Sequence, residues 1–179
     1  GSVIVTHSDD GEGTSDARVA YIAAANHSKG ARRPIWPGLE YYPRFVGDNP
    51  ARGADGVFAP RPGQELTAPI GYIPQVPHTY AYLDSNFAMQ NEKQVSIGET
   101  TCSAIFGSVA IGKPNGTALM SVNELSRIAL ERAATAREAI ETMGDLATTH
   151  GFYGPGTFEG TGETLAVADP TEAFIMHFL

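Results

Sequence analysis

Apolar and polar residues alternate in short stretches along most of this chain, and only one region carries a helical period. Val3 to Thr6 is a β-branched run and predicts a buried strand. A polar, glycine-containing turn follows, His7-Ser8-Asp9-Asp10-Gly11-Glu12-Gly13. Arg18 to Ala23 reads as a second strand, and His78 to Leu83 as a third. Residues 86–93 read as a turn, and Gln94 to Glu99 as the next strand, with Val95 and Ile97 on one face. Together they predict a hairpin whose turn carries Asn91 and Glu92.

The period changes after residue 120. Ser121 and Glu124 form a capping box ahead of the stripe Leu125, Ile128, Ala129, Arg132. Thr135 and Glu138 repeat the signature ahead of Ala139, Ile140, Met143, Leu146 and Ala147. That second helix should end at His150-Gly151, where glycine supplies a left-handed cap. Thr164 to Ala168 and Ala173 to Met176 then predict two strands, joined by the turn Asp169-Pro170-Thr171-Glu172. Strands, then helices, then strands indicate an α+β fold built from hairpins rather than βαβ crossovers.

Residues 28–77 fit neither period. They hold nine of the 12 prolines together with Trp36, Tyr41, Tyr42, Phe45, Phe58 and Tyr72. The segment reads as a long irregular loop, and an aromatic loop of that length is expected to lie over a site or a partner surface.

Composition narrows the functional classes. The 179 residues carry a formal net charge of −8, with 42% hydrophobic and 18% charged residues. This is a globular composition. The acidic balance argues against nucleic acid as a partner, and no stretch is apolar enough to read as a membrane span. The single cysteine, Cys102, excludes an internal disulfide framework and cysteine-rich zinc sites. No metal-ligand cluster is found, so no metal is expected.

Three places could carry chemistry. His7-Ser8-Asp9-Asp10 puts an imidazole beside carboxylates at a strand end; it suits acid–base work or is a solvated turn. Asn91-Glu92 offers an amide that could donate to an oxyanion, although asparagine is also a common turn residue. Cys102 is either a nucleophile or, given its apolar neighbours, a buried inert thiol. Asn26-His27-Ser28 and Asn115-Gly116-Thr117 match the glycosylation sequon, a weak pattern.

Several segments together resemble the C69 dipeptidase family, which includes the secernins. Gly1 to Asp10 is similar to the stretch that follows the family's nucleophile. Met89 to Glu99 resembles its N-E-x-x-V-x-I-x-E hairpin. Glu141 to Gly154 and Gly162 to Ala173 resemble a helix followed by a strand pair around a D-P-x-E-A turn. The resemblance implies a partial N-terminal-nucleophile (Ntn) hydrolase domain over 1–179, within a four-layer αββα sandwich of antiparallel sheets. It also implies a cofactor-free mechanism in which the thiol of a first-residue cysteine attacks an amide and the α-amine serves as base.

On this reading the nucleophilic cysteine precedes Gly1, the chain is the N-terminal portion of a longer one, and alone it is inactive. The family's aspartate falls on Asp10 and its oxyanion asparagine on Asn91. His7 replaces an arginine, with loss of a permanent charge and a fork of donors. Asp9 stands where the family often has glutamate, and Asp9 and Glu92 are assigned to substrate binding. The implied function is a cysteine-type dipeptidase. The alternatives are an acylase or amidase with an apolar pocket from Trp36, Phe45 and Phe58, or a catalytically silent secernin-like binding protein. A small peptide is the expected partner, with self-association as an option. The compartment, cytoplasmic or secreted, stays open.

Overall fold

Val95 and Ile97 are both buried, and the strand that carries Ile97 is the centre of the fold. The computed structural model describes residues 3–8, 15–39, 41–47, 58–101, 108–154 and 162–179. Its largest element is a six-stranded antiparallel sheet formed by β1 (Ala20–Ile22), β6 (Tyr82–Asp84), β7 (Ala88–Asn91), β8 (Ser96–Thr101), β11 (Glu163–Ala168) and β12 (Ala173–Phe178). The spatial order is β1-β6-β7-β8-β11-β12. β8 and β11 run in full register, with Ile97 opposite Val167 and Glu99 opposite Leu165. Four short strands pair outside the sheet: β2 (Ala25–Asn26) with β5 (His78–Thr79), and β3 (Arg32–Ile35) with β4 (Gly71–Pro74). β9 (Met120–Ser121) and β10 (Phe152–Tyr153) form a parallel pair.

The two helices are α1 (Val122–Arg132) and α2 (Ala136–His150). Each starts where its cap was expected. Ser121 Oγ accepts from Glu124 N at 3.1 Å, and Thr135 Oγ1 accepts from Glu138 N at 3.2 Å. Glu138 closes its box one residue early, on Ala134 N at 2.7 Å. The Glu124 carboxylate turns inward to arginines. Gly151 ends α2 with φ 70° and ψ 154°, so the positive φ is met but the extended ψ is not the predicted left-handed cap.

The helices cover the sheet face that carries Ile97, Leu165 and Val167. α2 buries only Ala136, Ala139 and Met143, the narrow stripe of a surface helix. α1 is buried from Val122 to Glu131, because the sheet lies on one side and side chains of the β3–β4 hairpin reach it from another. Fully burying each large side chain such as Leu125, Ile128 or Leu130 contributes about 1.5–3 kcal/mol. No helix among the described residues is long and apolar enough to cross a membrane.

Four expectations change. Val3 to Thr6 is not a strand: Val3 is 52% and Ile4 81% exposed, and the segment rests on the sheet instead of pairing with it. Residues 28–77 are not one irregular loop. They contain β3 and β4, and Trp36, Phe45 and Phe58 stack edge-to-face inside the core, at 4.9 and 5.3 Å between ring centroids. Only Tyr41, Tyr42 and Tyr72 of that aromatic set are exposed. The predicted strand 78–83 divides into β5 and β6, and half of the turn predicted over 86–93 is β7.

Candidate functional site

β8 and the segment before it bring together what the described residues offer as chemistry. β7 and β8 share the ladder pair Gln90 opposite Ser96. Beyond it, Val5, Thr6 and His7 lie against Gly98, each with an atom 3.5–3.7 Å from where a Cβ on Gly98 would stand. His7 Nε2 is 3.5 Å from Glu99 Oε2, and the imidazole meets Phe87 edge-on at 6.3 Å. Glu99 is largely covered while His7 remains open to solvent. When protonated, this imidazole faces a carboxylate; when neutral, it has a ring nitrogen available for a proton.

A cavity of about 280 Å³ is lined by Val3, Val5, Gln90, Gln94, Ser96, Ala168, Asp169 and Pro170. One wall is fixed by Asp169. Its Oδ1 accepts from Thr171 N (2.7 Å), Thr171 Oγ1 (2.7 Å) and Glu172 N (3.0 Å), and its Oδ2 from Ala136 N at the start of α2 (2.8 Å). The Thr171 hydroxyl, followed by these backbone N–H groups, holds the carboxyl well below the usual aspartate range. The D-P-T-E turn is thereby pinned to the helix layer.

Asn91 finds its partners within the chain. It is the last residue of β7 and is buried. Its amide donates to Leu130 O (2.9 Å) and Ala133 O (2.8 Å), the carbonyls at the end of α1. Its Oδ1 accepts from Lys93 N and Val95 N, both at 3.0 Å. Both amide hydrogens are engaged, so this geometry leaves Asn91 none to donate to an oxyanion. Here the side chain joins the hairpin turn to the helix C-terminus. Glu92 also serves the chain itself: its N–H donates to Ala81 O at 2.9 Å and its Oε1 accepts from Ala81 N at 3.2 Å. Asp9, Asp10 and Cys102 lie outside the described residues.

Sequence reasoning missed the most polar part of the interior. Arg33 on β3 donates from Nε and Nη2 to both oxygens of Glu131, at 2.7 Å each, and from Nη1 to Glu124. Glu124 also faces Arg127 at 3.6 Å. Arg127 donates to Asp84 (2.7 Å), which receives Arg44 on its other oxygen (3.1 Å). Asp16 accepts from Arg44 N (2.9 Å) and pairs with the Arg18 guanidinium.

Charges alternate along this path, with four guanidiniums and four carboxylates among the residues just named. Burial alone would lower the pKa of Arg33, but Glu124 and Glu131 raise it well above its ordinary value. Burial would likewise raise that of Asp16, and the hydrogen bonds from Arg18 and Arg44 N outweigh it. The sequence signal was the spacing Glu124, Arg127, Glu131, which puts three charges on one stripe of a helix that also carries the apolar Leu125, Ile128 and Leu130.

No group of three potential metal ligands occurs among the described residues. The family model of peptidase family C69 matches residues 69–179, well over half of the chain. The match takes in the Asn91–Glu92 hairpin, both helices and the β11–β12 pair. No curated protein matches the chain.

Proposed function

The chain belongs to peptidase family C69, and on that premise we propose that it is part of a cysteine-type Ntn dipeptidase. Membership in a peptidase family supports hydrolysis of peptide bonds. The observation that carries the finer reading is the matched block itself: it spans the N-E-x-x-V-x-I-x-E hairpin and the D-P-x-E-A turn, in order.

In this reading a cysteine preceding Gly1 is the nucleophile. Its sulfur bonds to the scissile carbonyl carbon, its α-amine takes the thiol proton, and the C–N bond breaks as the proton passes to the leaving amine. Water then hydrolyses the thioester and releases the acid. An ordinary α-amine pKa of about 7.7–8.0 suits that exchange. A six-stranded antiparallel sheet with helices on one face supports the reading, since one half of a four-layer αββα arrangement requires such a pair of layers. On this reading His7, which lies beside Glu99, and Asp10 are assigned to catalysis, and Asp9 to substrate binding. Glu92 follows Asn91 at the hairpin turn and is assigned to substrate binding. Asn91 is a positioning residue, because its amide is spent on α1.

That same commitment of Asn91 favours one second reading, a catalytically silent family member that binds peptides without cleaving them. The acylase reading loses its pocket, since Trp36, Phe45 and Phe58 stack in the core. The test is the intact protein with a free N-terminal cysteine, assayed on a panel of dipeptides. Hydrolysis that disappears when that cysteine becomes alanine is expected. Hydrolysis that survives the substitution overturns the mechanism, and binding without hydrolysis selects the silent reading.

A further inference from the structure

We propose that Gln94 is a specificity-determining residue of a peptide subsite formed by the cavity between the Val3–Val5 segment, the β7–β8 turn and the β11–β12 turn. The proposal rests on the peptide-binding reading above and names the substrate class for that surface: an uncharged peptide unit with a short aliphatic side chain.

Three observations carry it. The first is backbone geometry. Gln94 has φ 66°, a left-handed conformation that hairpin turns normally give to glycine or asparagine. Nothing in the turn requires a long side chain: its hydrogen bond, Gln94 N to Asn91 O at 2.9 Å, uses the backbone alone. The sequence thus keeps a glutamine where glycine would sit without strain. Backbone strain of this kind gathers at ligand sites.

The second is the lining. Gln90 stands opposite Ser96, and Ser96 opposite Ala168, so three adjacent strands present one row to the cavity that Gln94 borders. The carboxamides of Gln90 and Gln94 and the hydroxyl of Ser96 form no hydrogen bond with any other described residue. Carboxamides offer both donors and an acceptor, which matches the N–H and C=O of a peptide unit. Val3, Val5, Ala168 and Pro170 supply apolar surface for a small side chain. At about 280 Å³ the cavity is just below the usual range for drug-sized ligands, a size for one small side chain and its peptide unit.

The third is charge. Asp169 is the one ionisable residue in the lining, and its carboxylate already accepts four hydrogen bonds from the protein. No lining group is left to pair with a charged side chain, so lysine or aspartate in the subsite would lose hydration without compensation.

Strain and recognition predict opposite signs for one substitution. Gln94→Gly in the intact protein should raise the urea midpoint, because the strain is relieved. It should also weaken binding of a neutral aliphatic dipeptide about tenfold, the value of one or two lost hydrogen bonds. Affinity is measured by calorimetry in protein whose nucleophilic cysteine is alanine, and KM and kcat in active protein, where KM should rise with kcat little changed. Asn115→Gly is the control: Asn115 also has a left-handed φ of 60° but lies outside the cavity lining, so stability should rise with affinity unchanged.

Unchanged affinity in Gln94→Gly, or a wild-type preference for charged over neutral dipeptides, overturns the subsite. If affinity depends on Gln94 but the native protein cleaves no dipeptide, the dipeptidase reading fails and the subsite stands. If cleavage is normal and Gln94 is irrelevant to KM, the subsite fails and the dipeptidase stands.

Discussion

Arg33 and Glu131 lie 98 residues apart in sequence and meet through two parallel N–H···O bonds of 2.7 Å inside the protein. The pair fastens the β3–β4 hairpin to the last turn of α1. Tyr82 on β6 adds its hydroxyl to the same carboxylate at 3.4 Å, so sheet, helix and hairpin converge on one side chain.

Removing Arg33 should therefore be costly. Arg33→Met leaves Glu124 and Glu131 buried without their main cation, and a loss of about 3–5 kcal/mol in urea unfolding is expected. Arg33→Lys should lose less but still a measurable amount, since an ammonium keeps the charge without the fork. Adding Glu131→Leu to Arg33→Met should recover part of the loss, and a double-substitution cycle measures how much.

Asn91 gives a sharper choice between two roles. As the link between the hairpin and α1, Asn91→Ala should cost about 2–3 kcal/mol of stability, because buried carbonyls and turn N–H groups lose their partner. In the protein that remains folded, kcat should change little. An oxyanion donor would behave oppositely, with kcat falling on the order of 10²–10³-fold and stability nearly unchanged. Unfolding midpoints and kcat measured on the same preparation separate the two.

Asp169 predicts an acid-side dependence. Its pKa is depressed in the folded state, first by the Thr171 hydroxyl and then by N–H groups that include Ala136. A depressed carboxylate contributes stability in full above its unfolded pKa of about 3.9, and that contribution is lost as pH falls toward the folded value. Stability should drop steeply below about pH 4. Asp169→Asn should lower stability at neutral pH and flatten that acid limb, as read from urea midpoints between pH 6 and pH 2.

Two glycines should respond in opposite directions. Gly151 has a positive φ, and a Cβ there would stand 3.1 Å from Ala118 Cα, so Gly151→Ala should cost about 1–2 kcal/mol. Gly144 sits inside α2 with only Met176 Cε within reach, at 3.8 Å, and Gly144→Ala should gain about 0.5–1 kcal/mol. Thermal unfolding of both variants checks the pair.

Much of the local architecture was legible in the residues. Ser121, Thr135 and Glu138 marked the helix starts, Gly151 the end of α2, and Asp169-Pro170-Thr171-Glu172 the turn of the last hairpin. In each case the deciding groups lie within four residues of one another, so local stereochemistry is sufficient. The alternation of Val95 and Ile97 fixed the inward face of β8 for the same reason.

Other features depended on residues distant in sequence. Val3 to Thr6 has strand composition but no ladder partner, and only the sheet's arrangement shows that it lies across Gly98. Asn91 could serve a turn or an oxyanion hole on sequence alone, and only the fold brings the carbonyls of Leu130 and Ala133 to its amide. Trp36, Phe45 and Phe58 were read as a loop wall and belong to the core. The alternating path from Arg33 to Asp16 joins residues from β3, β6, α1 and the connecting segments. The chain by itself specified caps, turns and the strand–helix–strand order, because those depend on neighbours. Which polar side chains are buried together, and which remain free to meet a ligand, was decided by packing, since a buried charge or amide takes its role from whichever distant group satisfies it.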